Sequence, residues 1–361
     1  MSYYKNVPYK ERNWLSNMYA PVIIPTLNRH EHLIRCINSL KRNPLAKETE
    51  LYISLDYPPA EKYVDGYLKI KKYLEKELIS GFKKIYIFYQ DKNLGPINNI
   101  FFLRQEVFKK YDNYIFTEDD NEFSANFLEY MNKGLELFES DEQILAICGY
   151  RNDKPWKCDD GNVMKLSIFH AWGYATWKEK IDKCHEWICR DNFIKLLNDK
   201  KFCDDLYATR YKSYYTFIEA LLANPTDYRN VYINSQGDIE EIDYTIGIYM
   251  IVSGMYAVLP SVTKVRNWGY DGTGVNCGRD DKIDPKQILL DEADSFEFIV
   301  PKVFEIDEEN QELSKDEAYK ENAKRAKRFK ILMCMVGVPF ARKVNNFLYR
   351  LQKFGRHIYK E

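Results

Sequence analysis

The first 150 residues alternate between short apolar runs and segments with helical periodicity. The apolar runs predict five buried strands, at 22–24, 51–56, 84–90, 114–117 and 144–150. The segments between them predict helices at 29–43, 61–79, 96–110 and 124–138. Strands separated by helices form parallel βαβ units, so the sequence predicts an α/β fold with a doubly wound, mostly parallel sheet.

The first predicted helix carries a start signal. Asn28 precedes the apolar face, and Glu31 follows three positions later, which is the spacing of a capping box. We therefore expect the side chain of Asn28 to cap this helix. The apolar face itself consists of Leu33, Ile34, Ile37 and Leu40.

Doubly wound sheets bind ligands at the carboxyl ends of their strands. In this chain that rule selects four places, namely PTLNR at 25–29, Asp56, DKNLG at 91–95 and EDD at 118–120. The segment after the first strand contains no GxGxxG pattern, so the sequence disfavours a dinucleotide cofactor.

Three acids, Glu118, Asp119 and Asp120, directly follow the predicted strand YIFT. One interpretation is a solvated turn, because acidic residues often follow strands. The other is a site whose negative charge is neutralised by a hard divalent cation. Mg²⁺ or Mn²⁺ binds oxygen ligands, often one or two carboxylates together with the phosphates of a substrate. The second interpretation predicts a nucleotide-diphosphate ligand.

Five segments, taken in order, resemble GT-A fold, nucleotide-sugar-dependent glycosyltransferases. They are PTLNRHEHLIRCINSL, DKNLGP, YIFTEDDNEFSANFLEY, HAWGYATWKEK and VRNWGYDGTGVNC. The acidic segment is similar to the EDD form of GlcNAc-transferase I-type enzymes, and the two late segments resemble bacterial enzymes of surface-polysaccharide synthesis. The resemblance implies a GT-A (Rossmann-like), mostly parallel sheet flanked by helices. It also implies transfer of a hexose or N-acetylhexosamine from a nucleotide-sugar, with a UDP-sugar favoured.

The same resemblance implies roles for individual residues. Asp120 would bind Mn²⁺ or Mg²⁺ directly, whereas Glu118 and Asp119 would hold the ribose and donor sugar or reach the metal through water. Asp56 would contact the base. The remaining residues of the nucleotide pocket would be Pro25, Thr26, Asn28, Arg29, Asn93 and Gly95. Arg29 is a suitable partner for a diphosphate, although an exposed charge at a helix start is the other interpretation.

The chain departs from the family pattern at two places. Related enzymes often carry a basic residue after NLG, where this chain has Asn98 and Asn99. A phosphate contact is then missing or comes from elsewhere. A His that can reach the metal is common in the late loop, where this chain has Asn276.

Glycosyl transfer to a hydroxyl requires a base near the acceptor oxygen. The segment GDIEEID offers several acids, and by the resemblance Asp243 fits best, with Glu241 second. Attack assisted by such a base from the opposite face would invert the anomeric centre. The alternative is that Asp243 only caps the apolar helix that follows.

The segment HAWGYATW supplies candidate acceptor-binding residues, namely Trp172, Gly173, Tyr174 and Trp177. An aromatic ring suits the apolar face of a sugar, and the other interpretation is packing in the core. We expect one ring at the acceptor and the others in the core. His170 is expected to be structural.

Charge is unevenly distributed along the chain, although the total is −1. Residues 320–361 contain twelve Lys or Arg and two Glu, a net charge of +10, so the rest carries −11. The near-neutral total argues against a nucleic-acid partner. The basic, amphipathic tail predicts attachment to an anionic membrane surface, with packing on the acidic body or a homodimer contact as alternatives.

Three regions are expected: a glycosyltransferase domain over 1–280, an acidic linker or subdomain over 281–319, and the basic helical tail over 320–361. Eight scattered Cys and an N-terminus without an apolar core predict a cytoplasmic protein, peripheral on the inner face of the plasma membrane. The other functions to weigh are a sugar nucleotidyltransferase and a catalytically idle glycan-binding or scaffolding protein. The acceptor is expected to be a glycan or a lipid-linked hydroxyl.

Overall fold

The computed structural model describes residues 19–78, 80–158, 160–199, 243–274 and 289–302, together with 304, 310, 331, 335 and 344. The chain divides into two units, and each is described by itself. The first comprises Met1–Cys184 and Tyr249–Gln311, and the second comprises His185–Ile248 and Glu312–Glu361. The division at residues 280 and 319 expected from the sequence stays a prediction.

The strands are β1 Val22–Thr26, β2 Glu50–Leu55, β3 Lys84–Tyr89, β4 Asn113–Phe116, β5 Asn121–Phe123, β6 Ile144–Cys148, β7 Val163–Leu166, β8 Tyr174–Trp177, β9 Tyr256–Pro260 and β10 Val265–Asn267. The α-helices are α1 His30–Lys41, α2 Val64–Lys76, α3 Pro96–Val107, α4 Phe127–Leu137, α5 Lys178–Trp187, α6 Arg190–Asn198 and α7 Asp243–Ser253. All five strands and four helices predicted for the first 150 residues are present, in the predicted order.

A central sheet of eight strands organises the first unit. Its strand order is β3-β2-β1-β4-β8-β6-β9-β7. The pairs β3-β2, β2-β1, β1-β4 and β6-β9 are parallel, whereas β8 and β7 run against their neighbours. Six of the eight strands therefore point in one direction, and the predicted α/β fold with a mostly parallel sheet is confirmed. A second, two-stranded antiparallel sheet joins β5 to β10.

The central strands are buried and mainly apolar because helices pack on the sheet. Val22, Ile23 and Ile24 of β1 are each 0% exposed. Helix α3 packs on β1, and helix α4 packs on β8 and β6. The predicted apolar face of α1 is buried at Leu33, Ile37 and Leu40.

The predicted cap of α1 is wrong by one residue. Arg29, not Asn28, holds the N-cap position, and no side chain makes a capping hydrogen bond there. The carbonyl of Asn28 instead faces helix α2, so closely that a Cβ atom at Gly66 would overlap it. This contact fixes the position of Asn28 before the helix begins. The side chain of Arg29 does not cap the helix.

Strand β8 enters the sheet between β4 and β6, where the sequence predicted no strand. Ala175 pairs with Ile115 on one side and with Ile147 on the other. Just beyond it, the Lys180 ammonium group lies 3.7 Å from the ring centroid of Trp177. It also donates to the carbonyl oxygens of residues 138, 141 and 144, at 3.1, 2.8 and 2.8 Å. Burial lowers the pKa of Lys180 to about 8.

The apolar segment beyond residue 242 forms helix α7, as expected. It ends before Gly254, whose φ of 64° is left-handed, and β9 follows. Residues 200–242 lie outside the described residues, as does almost all of the tail 320–361. In the described part of the chain, no helix is long and apolar enough to cross a bilayer.

Lys264, just before β10, is a buried cation with a defined partner. It is 1% exposed, donates to the Asp291 carboxylate and lies 4.3 Å from the ring centroid of Phe296. Asn126 donates to the same carboxylate oxygen at 2.9 Å. Breaking a buried ion pair by removing one partner leaves the other charge uncompensated.

We therefore expect Asp291→Ala to lower the free energy of unfolding by about 3–5 kcal/mol, because it strands the Lys264 ammonium group in the core. The matched control is Asp65→Ala, which breaks an exposed ion pair with Lys69 one helical turn away. That change should cost far less than Asp291→Ala, because water screens an exposed pair. Urea denaturation of both variants measures the difference. Equal effects would contradict the assignment of Lys264 as a buried, paired charge.

Candidate functional site

The carboxyl ends of three neighbouring parallel strands carry the residues that the sequence selected. Thr26 ends β1, Asp56 follows β2, and the EDD acids follow β4. The strands are tied together at this edge, since the amide of Asp56 donates to the Thr26 carbonyl at 2.9 Å. The structure thus brings together PTLNR, Asp56 and EDD.

Asp119 and Asp120 form a buried acid pair that shares one cation. The Arg29 guanidinium donates through Nη2 to Asp119 and through Nη1 to Asp120, the latter at 2.5 Å. Thr26 Oγ1 donates to the other oxygen of Asp119 at 2.8 Å. One guanidinium therefore bridges two carboxylates, and Glu118 stands beside them partly exposed.

Burial and charge act in opposite directions on this acid pair. Burial raises the pKa of Asp120 above its usual value, Arg29 lowers it, and Asp119 raises it again. For Arg29, burial would lower the pKa, but the charges of Asp119 and Asp120 outweigh it and raise the pKa. Arg29 thus favours the charged form of Asp120, whereas burial and the neighbouring Asp119 oppose it.

Asn267 holds the remaining oxygen of the pair, and the sequence analysis did not select it. Its Nδ2 donates to Asp120 Oδ1 at 2.7 Å and to Asn121 Oδ1 at 2.9 Å. It reaches them because Asn267 pairs with Asn121 in the β5-β10 sheet. The only local signal is an Asn in the late loop, since the pairing joins residues that are distant in sequence.

The segment after β10 lies directly on the acid pair. The amide of Trp268 donates to the Asp120 carbonyl at 2.9 Å. Gly269 follows, and a Cβ atom there would overlap Oδ2 of Asp120. Glycine is therefore required at 269 by close approach rather than by backbone conformation.

Helix α1 holds this same segment from the other side. His32 Nε2 and Asp271 Oδ2 are 2.8 Å apart. Arg35 can only donate, so His32 Nδ1 accepts from it at 3.2 Å and the ring donates through Nε2 to Asp271. Arg35 also stacks over Trp268 at 4.5 Å. Although burial alone would raise it, hydrogen bonds from Thr273 and His32 lower the pKa of Asp271 to about 2.

The Asp56 carboxylate accepts hydrogen bonds that hold the DKNLG loop in place. Its Oδ1 accepts from the amides of Tyr57 and Leu94 at 2.9 and 2.8 Å. Its Oδ2 accepts from the Gly95 amide at 3.0 Å and from Asn93 Nδ2 at 3.1 Å. Burial raises the pKa of Asp56 in spite of these backbone hydrogen bonds. The carboxylate thus shapes the loop, and its predicted contact with a base stays a prediction.

Asn98 and Asn99 serve the structure of the same region. Asn99 is buried, and it accepts from Ser54 Oγ at 2.5 Å and donates to the Ser54 carbonyl at 3.2 Å. Asn98 donates to the Leu94 carbonyl at 2.9 Å. Gly95 has a φ of 79° and caps α3, so the loop turns sharply there.

The candidate acceptor residues differ in burial. Tyr174 and Trp177 are buried in and beside β8, at 4% and 6% exposure. Trp172 is partly exposed and stacks edge-to-face on Tyr150 at 4.5 Å. The acceptor prediction therefore rests on Trp172 and the neighbouring Gly173, whose φ is 70°. Burial lowers the pKa of His170 to about 4, as expected for a structural histidine.

The candidate base belongs to the second unit. Asp243 is the first residue of α7, and burial of its carboxyl group raises its pKa to about 6. Glu241 and Asn276 lie outside the described residues. The assignment of Asp243 or Glu241 as the base stays a prediction.

The acid pair fits a divalent cation only in part. Carboxylates are the ligands that Mg²⁺ and Mn²⁺ take, and one or two suffice when substrate phosphates complete the shell. Arg29, however, already pairs with both Asp119 and Asp120 and offsets one of their two negative charges. Within the described residues, no cluster of three or more His, Cys, Asp or Glu side chains is arranged to hold a metal. The pair thus fits a cation that arrives with a diphosphate.

The chain matches no protein-family model and no curated protein sequence. Solved structures similar to part of it include the mannosyltransferase PcManGT from Pyrobaculum calidifontis in complex with GDP-Man and Mn²⁺, at 12% identity and TM-score 0.34 over 46% of each chain. Another is S. aureus TarS 1–349, at 15% identity and TM-score 0.32 over 46% of this chain and 49% of that one. The chain spans less than half the length of either. These values assign no substrate.

The contact between Gly269 and Asp120 can be tested by a double-mutant cycle. Gly269→Ala should lower the free energy of unfolding by about 2 kcal/mol, because the new methyl group overlaps the Asp120 carboxylate. In an Asp120→Ala background most of that cost should vanish, and urea denaturation of the four proteins measures it.

Gly254→Ala is the matched control, since Gly254 meets no neighbouring atom and carries only backbone strain. Its cost should be the same with and without the Asp120 carboxylate. An equal cost of Gly269→Ala in both backgrounds would show that the glycine does not abut Asp120.

Proposed function

We propose that the protein is a glycosyltransferase that moves a sugar from a nucleotide-diphosphate sugar to a hydroxyl acceptor. The observation that carries this proposal is the buried pair Asp119–Asp120 at the carboxyl end of β4, bridged by Arg29. A folded chain gains little from burying two adjacent carboxylates unless they serve a ligand, since burial of charge is costly. The edge of the sheet where they lie is the ligand-binding edge of α/β folds.

The nucleotide would bind along the loops after β1, β2 and β3. Pro25, Thr26, Asn28 and Arg29 would line one side, and the amino end of α1 favours the negative charge of a diphosphate. On the far side, Asp56 holds Asn93 and Gly95 in place, which supports a rigid wall for the base. A UDP-sugar is the favoured donor.

The cation Mn²⁺ or Mg²⁺ would be held by Asp120, with Glu118 and Asp119 on the ribose and donor sugar or joined to the cation through water. When bound, such a cation relieves the charge that develops on the departing diphosphate. The residues of the chain would favour the ionised form of the buried Asp120 carboxyl group. Arg29, Thr26 and Asn267 do so by donating hydrogen bonds to the pair.

The base would be Asp243, with Glu241 as the second candidate, and inversion at the anomeric carbon would follow. A pKa of about 6 suits a group that must be ionised, yet accept a proton, near neutral pH. Trp172 and Gly173 would contact the acceptor, and Tyr174 and Trp177 would support them from the core.

The acceptor would be a glycan or a lipid-linked hydroxyl in bacterial surface-polysaccharide synthesis. The net charge of +10 on residues 320–361 supports attachment to the inner face of the plasma membrane. A homodimer contact through the tail is the other use for that charge.

One second function has an observation in its favour. Arg29 pairs with both acids without any metal, as it would in an idle glycan-binding or scaffolding protein. A sugar nucleotidyltransferase is less favoured, because PTLNRHEH has no Gly with which to wrap phosphates.

The proposal is tested by thermal shift and turnover with UDP, GDP, CDP and their sugars, each with and without Mn²⁺. We expect UDP with Mn²⁺ to raise the unfolding temperature, because only a bound ligand stabilises the folded state in this way. Asp120→Asn should remove the Mn²⁺-dependent part of the shift. A shift with GDP or CDP alone would change the assigned donor. Binding without release of nucleotide diphosphate from any sugar donor would favour the idle protein.

The base is tested by the pH dependence of turnover. A base must be deprotonated, so kcat should fall about tenfold per pH unit below pH 6, where Asp243 becomes protonated. Asp243→Asn should abolish turnover and keep nucleotide affinity. Full activity of Asp243→Asn would remove Asp243 from the mechanism, and the same experiment on Glu241→Gln would follow.

A further inference from the structure

Arg29 holds a place that a divalent cation would also need. It is partly buried, with 19% of its side chain exposed, and it donates to one oxygen of each acid. The carboxylates of Asp119 and Asp120 carry two negative charges and Arg29 one positive charge. These three groups therefore carry a net charge of −1 without any metal, and the neighbouring Glu118 adds to the negative charge that acts on Arg29.

We propose that Arg29 is a built-in counter-cation that couples the binding of a divalent cation to the binding of a nucleoside diphosphate. The inference rests on the function proposed above and adds an order to its ligands. Neither ligand is expected to bind well alone, and each is expected to strengthen the other.

A divalent cation alone meets Arg29 at the acid pair. The guanidinium cannot relieve the repulsion by losing its proton, because it stays charged at any physiological pH. The cation must therefore displace Arg29 from Asp119 and Asp120, and the displaced charge has no compensating partner from the ligand. Binding of the cation alone is weakened by the free energy of those two charge-assisted hydrogen bonds.

A diphosphate alone meets the opposite problem, since its negative charge approaches a site whose net charge is already negative. When cation and diphosphate arrive together, the phosphate oxygens give Arg29 a new pair of acceptors, and the cation takes over the carboxylates. Arg29 stands at the N-cap of α1, where the free backbone amides also favour phosphate. Only the combination leaves every charge with a partner.

A purely structural ion pair makes a different prediction. Removing a structural Arg29 would lower stability, because two buried carboxylates lose their donor, but it would leave the coupling between the ligands unchanged. The distinguishing quantity is the factor by which UDP changes Mn²⁺ affinity, which by linkage equals the factor by which Mn²⁺ changes UDP affinity.

The experiment measures Mn²⁺ affinity by EPR of the free ion, with and without UDP, corrected by a protein-free sample for the Mn²⁺–UDP complex. UDP affinity with and without Mn²⁺ is measured by calorimetry. In the natural protein we expect each ligand to tighten the other by about tenfold or more. In Arg29→Gln, Mn²⁺ alone should bind about tenfold more tightly than in the natural protein, and the coupling factor should fall about tenfold, to the part that direct contact between cation and diphosphate supplies.

Two further variants distinguish a role of Arg29 in coupling from a general loss of structure or charge. Arg29→Lys keeps the charge but cannot donate to both carboxylates in a fixed fork, so its coupling should be intermediate. If Arg29→Gln does not fold, the lysine variant decides the question alone. Arg42→Gln is the matched control, because Arg42 adjoins the other end of α1 and pairs with Glu122 rather than with the acid pair. It should bind both ligands as the natural protein does.

The outcomes separate this inference from the function on which it rests. Unchanged Mn²⁺ affinity or unchanged coupling in Arg29→Gln, in a natural protein that binds both ligands, overturns the role of Arg29 alone. Independent binding of Mn²⁺ and UDP by the natural protein does the same. If the natural protein binds neither ligand in any combination, the proposed function fails and this inference fails with it.

Discussion

The arrangement of the ligand-binding edge depends on one interaction, the Arg29 guanidinium held between Asp119 and Asp120. Two buried carboxylates at adjacent positions repel each other, and burial alone would favour their neutral forms. A single cation offsets part of that cost by binding both, although the pKa of Asp120 stays above its usual value. Because Arg29 comes from the junction of β1 and α1, and the acids come from the turn after β4, the pair also fixes how these segments meet. Asn267 adds a third segment by donating to Asp120 across the β5-β10 sheet.

Asp56 solves the same problem of a buried carboxylate in another way. Three backbone amides and the side-chain amide of Asn93 donate to its carboxylate, which thereby stabilises the shape of the DKNLG loop. The acid pair, by contrast, accepts hydrogen bonds from side chains, and a ligand can replace these donors. A carboxylate saturated by backbone donors is suited to a rigid wall, whereas one paired with a side-chain guanidinium can change partners when a ligand brings new charge.

Local patterns predicted much of the fold, because they report burial directly. A strand buried on both faces is mainly apolar, as Val22, Ile23 and Ile24 of β1 are, and a helix on the sheet must repeat its apolar face as α1 does. The same patterns missed β8, because YATW lies within a short aromatic segment that resembles a binding site as much as a strand. They also placed the cap of α1 on Asn28, since capping propensity says nothing of the contact between its carbonyl and α2.

The sequence by itself determined the α/β architecture and the edge of the sheet where the acids lie, because strands separated by helices imply parallel βαβ units whose carboxyl ends share one edge. It selected Thr26, Arg29, Asp119 and Asp120 as separate candidates. Only the tertiary structure decided that Arg29 bridges the two acids, that Asn267 completes their hydrogen bonds, and that Gly269 must have no side chain beside Asp120. The physical reason is that these contacts join segments up to 240 residues apart, as His32 and Asp271 do, and a buried charge is satisfied by whatever donor the fold brings to it.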